Sequence, residues 1–118
     1  MKIDNQETVS IEVRLPSGSS FLWKSLFDDL KNTKLTFSDE AGRSITYKVN
    51  KPEDLRNAEY GTELFGILRN GDVFQGMFML FIEDENEIIY QNANPKYPLV
   101  FSIPLTDIFG WVDLNRPI

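Results

Sequence analysis

Residues 63–91 read ELFGILRNGDVFQGMFMLFIEDENEIIYQ, and this stretch decides the fold that the sequence predicts. It contains a short apolar segment, a turn at Asn70-Gly71, a long apolar run from Val73 to Ile82, an acidic turn, and a short apolar return. Asn-Gly is the dipeptide best suited to a type I′ hairpin turn, because both central residues of that turn need positive φ. The stretch therefore predicts three antiparallel strands joined by two tight turns.

The long middle run is apolar except at Gln75 and Gly76. Such a run predicts a strand with both faces covered, because neither face offers a regular row of polar side chains to water. Gly76 predicts a bulge or a sharp bend, since a glycine lets a second backbone come close. A long, bent and doubly covered strand between two partners indicates the centre of a small closed or half-open β-barrel.

The N-terminal part of the chain predicts a strand, a helix and a hairpin. Residues 9–15 alternate apolar and polar side chains, which is typical of a strand with one exposed face. Ser19 or Ser20 can cap a helix that follows this strand. The apolar stripe of that helix consists of Leu22, Trp23, Leu26, Phe27 and Leu30. Residues 35–49 alternate on both sides of an acidic, glycine-ended turn, which predicts a hairpin.

The remaining segments predict a short second helix and two further strands. Pro52 suits the first turn of a helix, and Gly61 suits the position just after its end. Residues 99–103 and 108–114 are apolar enough to form strands. Pro104 between them predicts an edge or a corner, because proline cannot donate a hydrogen bond to a neighbouring strand.

Together these segments predict one α+β domain that spans residues 1–118. Its sheet is mostly antiparallel, small and barrel-like, with one N-terminal helix and one short second helix. A chain of 118 residues with 42% hydrophobic side chains is large enough to bury a core without disulfides or metals.

The segment from Leu68 to Gly76, a strand-turn-strand around Asn70-Gly71 with a bent second strand, resembles the first half of an Sm-like or SH3-like barrel. In the Sm family, an aspartate-to-asparagine stretch and an arginine-glycine pair bind RNA. Here Phe81-Ile82-Glu83 and Ile103-Pro104-Leu105 occupy those two places. The resemblance therefore implies a barrel-like sheet but not RNA binding.

The composition removes several classes of chemistry. The chain has no cysteine and no histidine, so it has no disulfide, no thiolate or imidazole metal ligand, and no histidine base. No apolar run approaches the length of a membrane span, and the N-terminus lacks the apolar region of a signal peptide. We therefore expect a cytoplasmic protein without a cofactor, a bound metal or a membrane partner.

The negative charge is concentrated in the C-terminal part of the chain. The formal net charge is −6. Acids and bases nearly balance through Arg69, whereas from Asn70 onward seven acids stand against only Lys96 and Arg116. Such a surface repels the phosphates of nucleic acids and attracts basic partners.

Adjacent carboxylates are the candidates for acid–base chemistry. The pairs are Asp28-Asp29, Asp39-Glu40 and Glu53-Asp54. Glycoside hydrolysis uses two carboxyl groups about 5 to 9.5 Å apart. Neighbouring side chains on a helix diverge by about 100°, so Asp28 and Asp29 do not face one substrate. A small-ligand or carbohydrate-processing domain that uses Asp39 and Glu40 is an alternative function, and no residue is assigned as catalytic.

The densest acidic cluster consists of Glu83, Asp84, Glu85 and Glu87. It lacks the glycine-turned loop of many calcium sites. We expect these acids to bind a basic protein partner, with Tyr97 as an aromatic anchor. The first interpretation is therefore a non-catalytic protein-binding module, namely a small acidic adaptor, subunit or inhibitor of the immunity-protein type. A further alternative is a structural subunit that forms homo-oligomers through an uncovered strand edge near Val100 and Pro104.

Overall fold

The computed structural model describes residues 9–14, 20–25, 34–92 and 96–118, which form nine strands and two 3-10 turns. The strands are β1 (Val9–Arg14), β2 (Ser20–Ser25), β3 (Lys34–Ser38), β4 (Ser44–Lys48), β5 (Glu63–Leu68), β6 (Val73–Ile82), β7 (Glu87–Asn92), β8 (Val100–Pro104) and β9 (Ile108–Asp113). The 3-10 turns are Pro52–Asn57 and Leu105–Asp107.

These strands make two antiparallel sheets. The larger sheet has five strands in the order β9-β5-β6-β7-β8, and the smaller has four in the order β1-β2-β3-β4. The predicted hairpins β3–β4, β5–β6 and β6–β7 are confirmed. Two backbone links join the sheets, because Asn50 bridges to Trp111 and the Ile118 N–H donates to the Thr46 carbonyl.

The predicted Sm-like or SH3-like barrel is wrong. The five-stranded sheet is open, with β8 and β9 at its opposite edges and not paired with each other. The reason lies in β6, which is not covered on both faces. Phe74, Gly76 and Phe78 are buried on one face, whereas Gln75 and Met77 on the other are half-buried. The apolar run reflects one buried face and one partly exposed apolar face, and not the centre of a closed barrel.

The predicted N-terminal helix is also wrong, and with it the α+β class. Ser20–Ser25 is a strand that pairs along its whole length with β1, with Ile11 opposite Trp23. Leu22 and Trp23 fit a helical stripe in the sequence, but the neighbouring β1 supplies a pairing partner, and the segment is a strand. The rest of the predicted stripe, Leu26, Phe27 and Leu30, lies outside the described residues.

The second predicted helix is a 3-10 turn of six residues, Pro52–Asn57. It begins at the predicted proline and buries Leu55 completely. No α-helix occurs in the segments that the structure describes. The fold of these segments is therefore mainly antiparallel β.

The turn at Asn70-Gly71 lies where the sequence predicts it, but it is not of the predicted type I′. Gly71 has φ of 96°, whereas Asn70 is not in the positive-φ region, so the turn is not type I′. The Gly71 N–H donates to the Leu68 carbonyl at 3.0 Å, and the Leu68 N–H donates to the Asp72 carbonyl at 2.8 Å. This is a type I turn followed by a left-handed glycine, the usual three-residue hairpin connection.

Two clusters of buried side chains lie on opposite faces of the five-stranded sheet. The first joins the β3–β4 hairpin to β5 and β9 and comprises Leu35, Phe37, Tyr47, Phe65, Ile67, Val112 and Leu114. The second covers the other face, where each 3-10 turn contributes one leucine, and comprises Leu55, Leu64, Phe74, Phe78, Ile88, Tyr90, Leu105, Ile108 and Trp111. The 3-10 turns thus pack against one face of the sheet, and the β3–β4 hairpin covers part of the other face.

The close approach predicted at Gly76 is confirmed, but the bulge lies elsewhere. A Cβ atom at Gly76 would collide with the carbonyl of Gln91 on β7. The irregularity in β6–β7 pairing falls between Phe78 and Leu80, which leaves Met79 as the extra residue. The bulge therefore bends β6 close to the acidic turn that follows it.

Candidate protein-binding site

The acidic turn between β6 and β7 is held in place by its own backbone. Within the described segments, Asn86 is the non-glycine residue with positive φ, at 54°. Its N–H donates to the Glu83 carbonyl at 3.3 Å, and its carbonyl accepts the Leu105 N–H at 2.9 Å. Asparagine tolerates the left-handed region better than other side chains, which explains why it ends this turn. The turn is therefore fastened to the 3-10 turn Leu105–Asp107.

Arg56 supplies a third contact to the same turn. Its Nη2 donates to Asn86 Oδ1 at 3.4 Å, and its guanidinium carbon lies 5.5 Å from the centre of the Phe81 ring. A guanidinium over an aromatic ring contributes about 0.5 to 1 kcal/mol at an exposed position. The turn is thus linked both to the 3-10 turn Pro52–Asn57 and to the end of β6.

Three of the four predicted carboxylates lie on this turn, and the fourth, Glu87, is the first residue of β7 directly after it. Glu83, Asp84 and Glu85 are exposed and Glu87 is half-buried. Among the described residues, none of the four forms a salt bridge, and no group of three acids converges as a metal site would require. Their charges are directed to solvent, which suits a basic macromolecule better than a coordinated cation.

An open groove of about 540 Å³ runs beside the acidic turn. Its lining combines the bulged end of β6 with the end of the first 3-10 turn and comprises Arg56, Asn57, Ala58, Phe78, Met79, Leu80, Phe81 and Glu83. Leu80, near the end of β6, is 49% exposed. The groove therefore combines apolar side chains of β6 with polar groups, and it includes one member of the acidic cluster, Glu83.

Tyr97 does not join the acidic cluster. It is 68% exposed and precedes β8, whereas the acidic turn adjoins the other end of that strand, where Glu87 lies opposite Pro104. Tyr97 precedes Pro104 by seven residues, and at about 3.3 Å per residue this separates the two places by roughly 20 Å. The predicted set of five residues thus divides into one compact acidic group and one distant aromatic residue.

The edge strand β8 is more exposed than its apolar sequence indicates. The prediction that Pro104 marks an edge is confirmed, because β8 is the last strand of its sheet. Three consecutive apolar residues here are exposed: Leu99 by 55%, Val100 by 57% and Phe101 by 42%. The flanking prolines are the signal that could have identified this run as an exposed edge and not a core strand.

The carboxylate pair of the alternative function has a structural role at Asp39. Its carboxylate accepts hydrogen bonds from the backbone N–H groups of Ala41 and Arg43 and pairs with the Arg43 guanidinium at 2.6 Å. Burial of this carboxyl acts to raise its pKa, but the hydrogen bonds and the charge of Arg43 outweigh it, and the pKa of Asp39 is lowered. Asp39 therefore stays ionised and orders its turn, which leaves Glu40 without a matched acid partner.

The other acid pairs converge no better. Glu53 and Asp54 are both exposed at the start of the first 3-10 turn, and Asp28 and Asp29 lie outside the described residues. A second open groove, of about 430 Å³, includes Asp54 and Trp111 in its lining. Trp111 is only 6% exposed, so its ring offers no face on which a sugar could stack.

No protein-family model matches this chain, and no curated protein and no solved structure is significantly similar to it. In the described part of the chain, no helix has the length and apolarity that a membrane crossing requires.

Proposed function

We propose that this protein is a non-catalytic binding module that engages a basic surface of a protein partner through the acidic turn between β6 and β7. The contact residues are Glu83, Asp84, Glu85 and Glu87. One observation carries the proposal: these carboxylates lie on or directly after a turn that three separate contacts fix, yet within the described segments none has an ion-pair partner.

The arrangement favours binding because the turn needs little further ordering and no internal ion pair among the described residues has to be broken. A turn that is already fixed loses little conformational freedom when a partner binds. Carboxylates without an intramolecular ion pair have no such pair to break before they meet a lysine or an arginine. The charge imbalance after Asn70 extends the attraction beyond direct contact and accelerates encounter with a positive surface.

The neighbouring groove suits the side chains of a basic partner. Lysine and arginine carry long apolar stems below their charged groups. A stem that lies along Met79 and Leu80 brings its charged end to Glu83. Arg56 lies in the same groove and opposes a second cation there, so the strongest contacts form on the solvent side of the turn.

The experiment is affinity capture from a lysate of the source organism, with mass spectrometry to identify bound proteins. The test variant carries Glu83→Lys, Asp84→Lys, Glu85→Lys and Glu87→Lys together. The control variant carries the same change in net charge at exposed acids elsewhere: Glu40→Lys, Glu53→Lys, Asp54→Lys and Glu59→Lys. We expect a stoichiometric basic protein with the wild type and the control, and its loss with the test variant.

A partner retained by the test variant, or lost equally with both variants, would contradict the proposal. Thermal unfolding of both variants provides the check on folding, since substitutions at exposed positions change stability by about 0.5 kcal/mol or less each and only Glu87 among the substituted residues is half-buried. A captured partner should also dissociate more readily as salt increases, because exposed charges are screened over about 8 Å at physiological ionic strength.

A further inference from the structure

The outer side of β8 carries backbone groups that no described strand pairs with. The Asn92 N–H donates to the Leu99 carbonyl and the Leu105 N–H donates to the Asn86 carbonyl, so Leu99 and Leu105 direct their backbone groups toward β7 and the acidic turn. Register between β7 and β8 is continuous. Because direction alternates along an antiparallel strand, Val100 and Ser102 direct their N–H and carbonyl groups outward.

This edge lacks charged side chains, which are one of the usual protections against pairing. Residues 97–103 read YPLVFSI and include no charged side chain. Natural edge strands commonly carry lysine or another charge that prevents association with a further strand. A basic partner strand would find no carboxylate along this edge, so the charge pattern that favours a basic partner at the acidic turn does not apply here.

We propose that β8 pairs with β8 of a second copy of this chain, antiparallel and about a two-fold axis at Phe101. The pairing joins two five-stranded sheets into one continuous sheet. It goes beyond the proposed function and does not depend on it, because the acidic turn is not part of the paired edge.

The prolines determine the register. Pro98 and Pro104 have no N–H and lie equally far from Phe101 in sequence. With Phe101 opposite Phe101 of the second copy, the two prolines face each other at both ends of the paired stretch. Val100 then exchanges hydrogen bonds with Ser102 of the second copy in both directions. A shift of the axis to Val100 or to Ser102 leaves one carbonyl inside the paired stretch opposite a proline.

Side chains at the axis favour the same register. The Phe101 ring stacks on Tyr90 with centroids 5.6 Å apart and remains 42% exposed. Opposite residues that are not hydrogen-bonded to each other come closest in an antiparallel pair, and aromatic side chains at such positions stabilise the pairing. The paired Phe101 rings lose much of their exposure to water in this arrangement.

The net charge of the chain does not oppose this dimer strongly. Each acidic turn adjoins Pro104 of its own copy, and the two Pro104 residues lie six residues apart along the paired strands. At about 3.3 Å per residue, this places the turns roughly 20 Å apart. That separation exceeds the screening length of about 8 Å at physiological ionic strength.

The test uses single cysteines, which the chain otherwise lacks. Phe101→Cys places two cysteines opposite each other, at a Cα separation of about 4.5 Å that suits a disulfide. We expect Phe101→Cys to form a covalent dimer under mild oxidation, and Val100→Cys or Ser102→Cys alone to form little. A mixture of the Val100→Cys and Ser102→Cys proteins should form the mixed disulfide, and it tests the register without removing the Phe101 ring.

Sedimentation equilibrium of the wild type across a dilution series should show a dimer, and Val100→Lys should abolish it while thermal unfolding stays that of a folded chain. A wild type that is monomeric at every concentration overturns the proposal, as does a dimer that Val100→Lys leaves intact. Cross-linking of Val100→Cys or Ser102→Cys alone in preference to the mixture overturns the register.

Because Val100→Lys retains the acidic turn, it still captures a basic partner if the proposed function is right, so failure of one proposal is distinguishable from failure of the other.

Discussion

The two edges of the five-stranded sheet differ in whether another described segment of the chain covers them. At β9, the segment after β4 lies across the edge: the Asn50 N–H donates to the Trp111 carbonyl at 2.7 Å, and the Trp111 N–H donates back at 3.2 Å. Gly110 lies so close to Val49 that a Cβ would approach its Cγ1 to 2.7 Å. At β8, no described segment of the chain occupies the equivalent place.

The difference does not arise from the composition of the edge strands. Both strands are rich in large apolar side chains, with Ile108, Trp111 and Val112 buried on β9 but Val100 and Phe101 exposed on β8. What differs is the covering segment, since a described part of the chain returns across β9 and none of the described parts returns across β8. An exposed apolar edge is a liability for a monomer. The contrast therefore identifies β8 as the side of the sheet that is available to another chain.

The largest loss of stability is expected from Trp111→Ala, which removes a buried side chain from the covered edge. The Trp111 side chain is 6% exposed, and its Nε1 donates to the Lys51 carbonyl at 2.9 Å. Deleting a buried tryptophan costs about 3 to 5 kcal/mol through lost burial and the cavity that remains. We expect a loss of this size in the free energy of unfolding, measured by urea denaturation.

The matched change at the open edge is Phe101→Ala, measured in a Val100→Lys background that keeps the chain monomeric. Phe101 is already 42% exposed, so its removal should cost less than about 2 kcal/mol. If Phe101→Ala were as destabilising as Trp111→Ala, the two edges would be equally important to the folded monomer, and the contrast would fail.

A smaller effect is expected from Gly110→Ala on the covered edge. The added Cβ would meet Val49 Cγ1 at 2.7 Å, and a β-branched valine has little freedom to rotate away. Forcing an extra methyl group into a packed position costs about 1 to 3 kcal/mol. Ser102→Ala on the open edge is the control and should change the free energy of unfolding by about 0.5 kcal/mol or less. Equal values for the two variants in urea denaturation would show that the covered edge is not tightly packed.

The local part of this architecture follows from the sequence. Alternation predicts the β3–β4 hairpin, with Leu35, Phe37 and Tyr47 directed into the core, and these three residues are buried. The turn at Asn70-Gly71 and the edge at Pro104 also carry local signals, because glycine and proline restrict the backbone wherever they occur.

The remaining features depend on contacts between distant segments. Leu22 and Trp23 fit a helix as well as a strand, and only the pairing of β1 with β2 decides between them. The acidic turn could be identified from its composition, but its attachment to Leu105 and Arg56 follows from the β7–β8 register and the position of a 3-10 turn. Whether an apolar strand is buried or lies at an exposed edge is likewise decided by which segment returns across it.

The smallest expected effect concerns two tyrosines, one beneath each edge. The Tyr47 hydroxyl donates to the Leu114 carbonyl at 3.1 Å next to β9, and Tyr90 stacks on Phe101 of β8. Burial raises the pKa of both phenols, and the Asp113 carboxylate contributes a further increase at Tyr47. The folded state therefore holds the phenolic protons more tightly than the unfolded chain, whose tyrosines titrate at about pH 10. It follows that stability is complete below about pH 10 and falls as the pH rises further.

Removal of these ionisable groups with Tyr47→Phe and Tyr90→Phe together should make stability fall less steeply with pH in this alkaline range. At neutral pH the double variant should be less stable by about 1 kcal/mol, because Tyr47 loses its hydrogen bond to the Leu114 carbonyl. Urea denaturation at a series of pH values measures both effects, and Tyr60→Phe at an exposed tyrosine is the control. An alkaline slope that the double variant shares with the wild type would mean that the two phenols are not the source of the pH dependence. Comparison of the two single variants then shows whether the covered edge, with Asp113 beside its tyrosine, contributes more of that slope than the open edge.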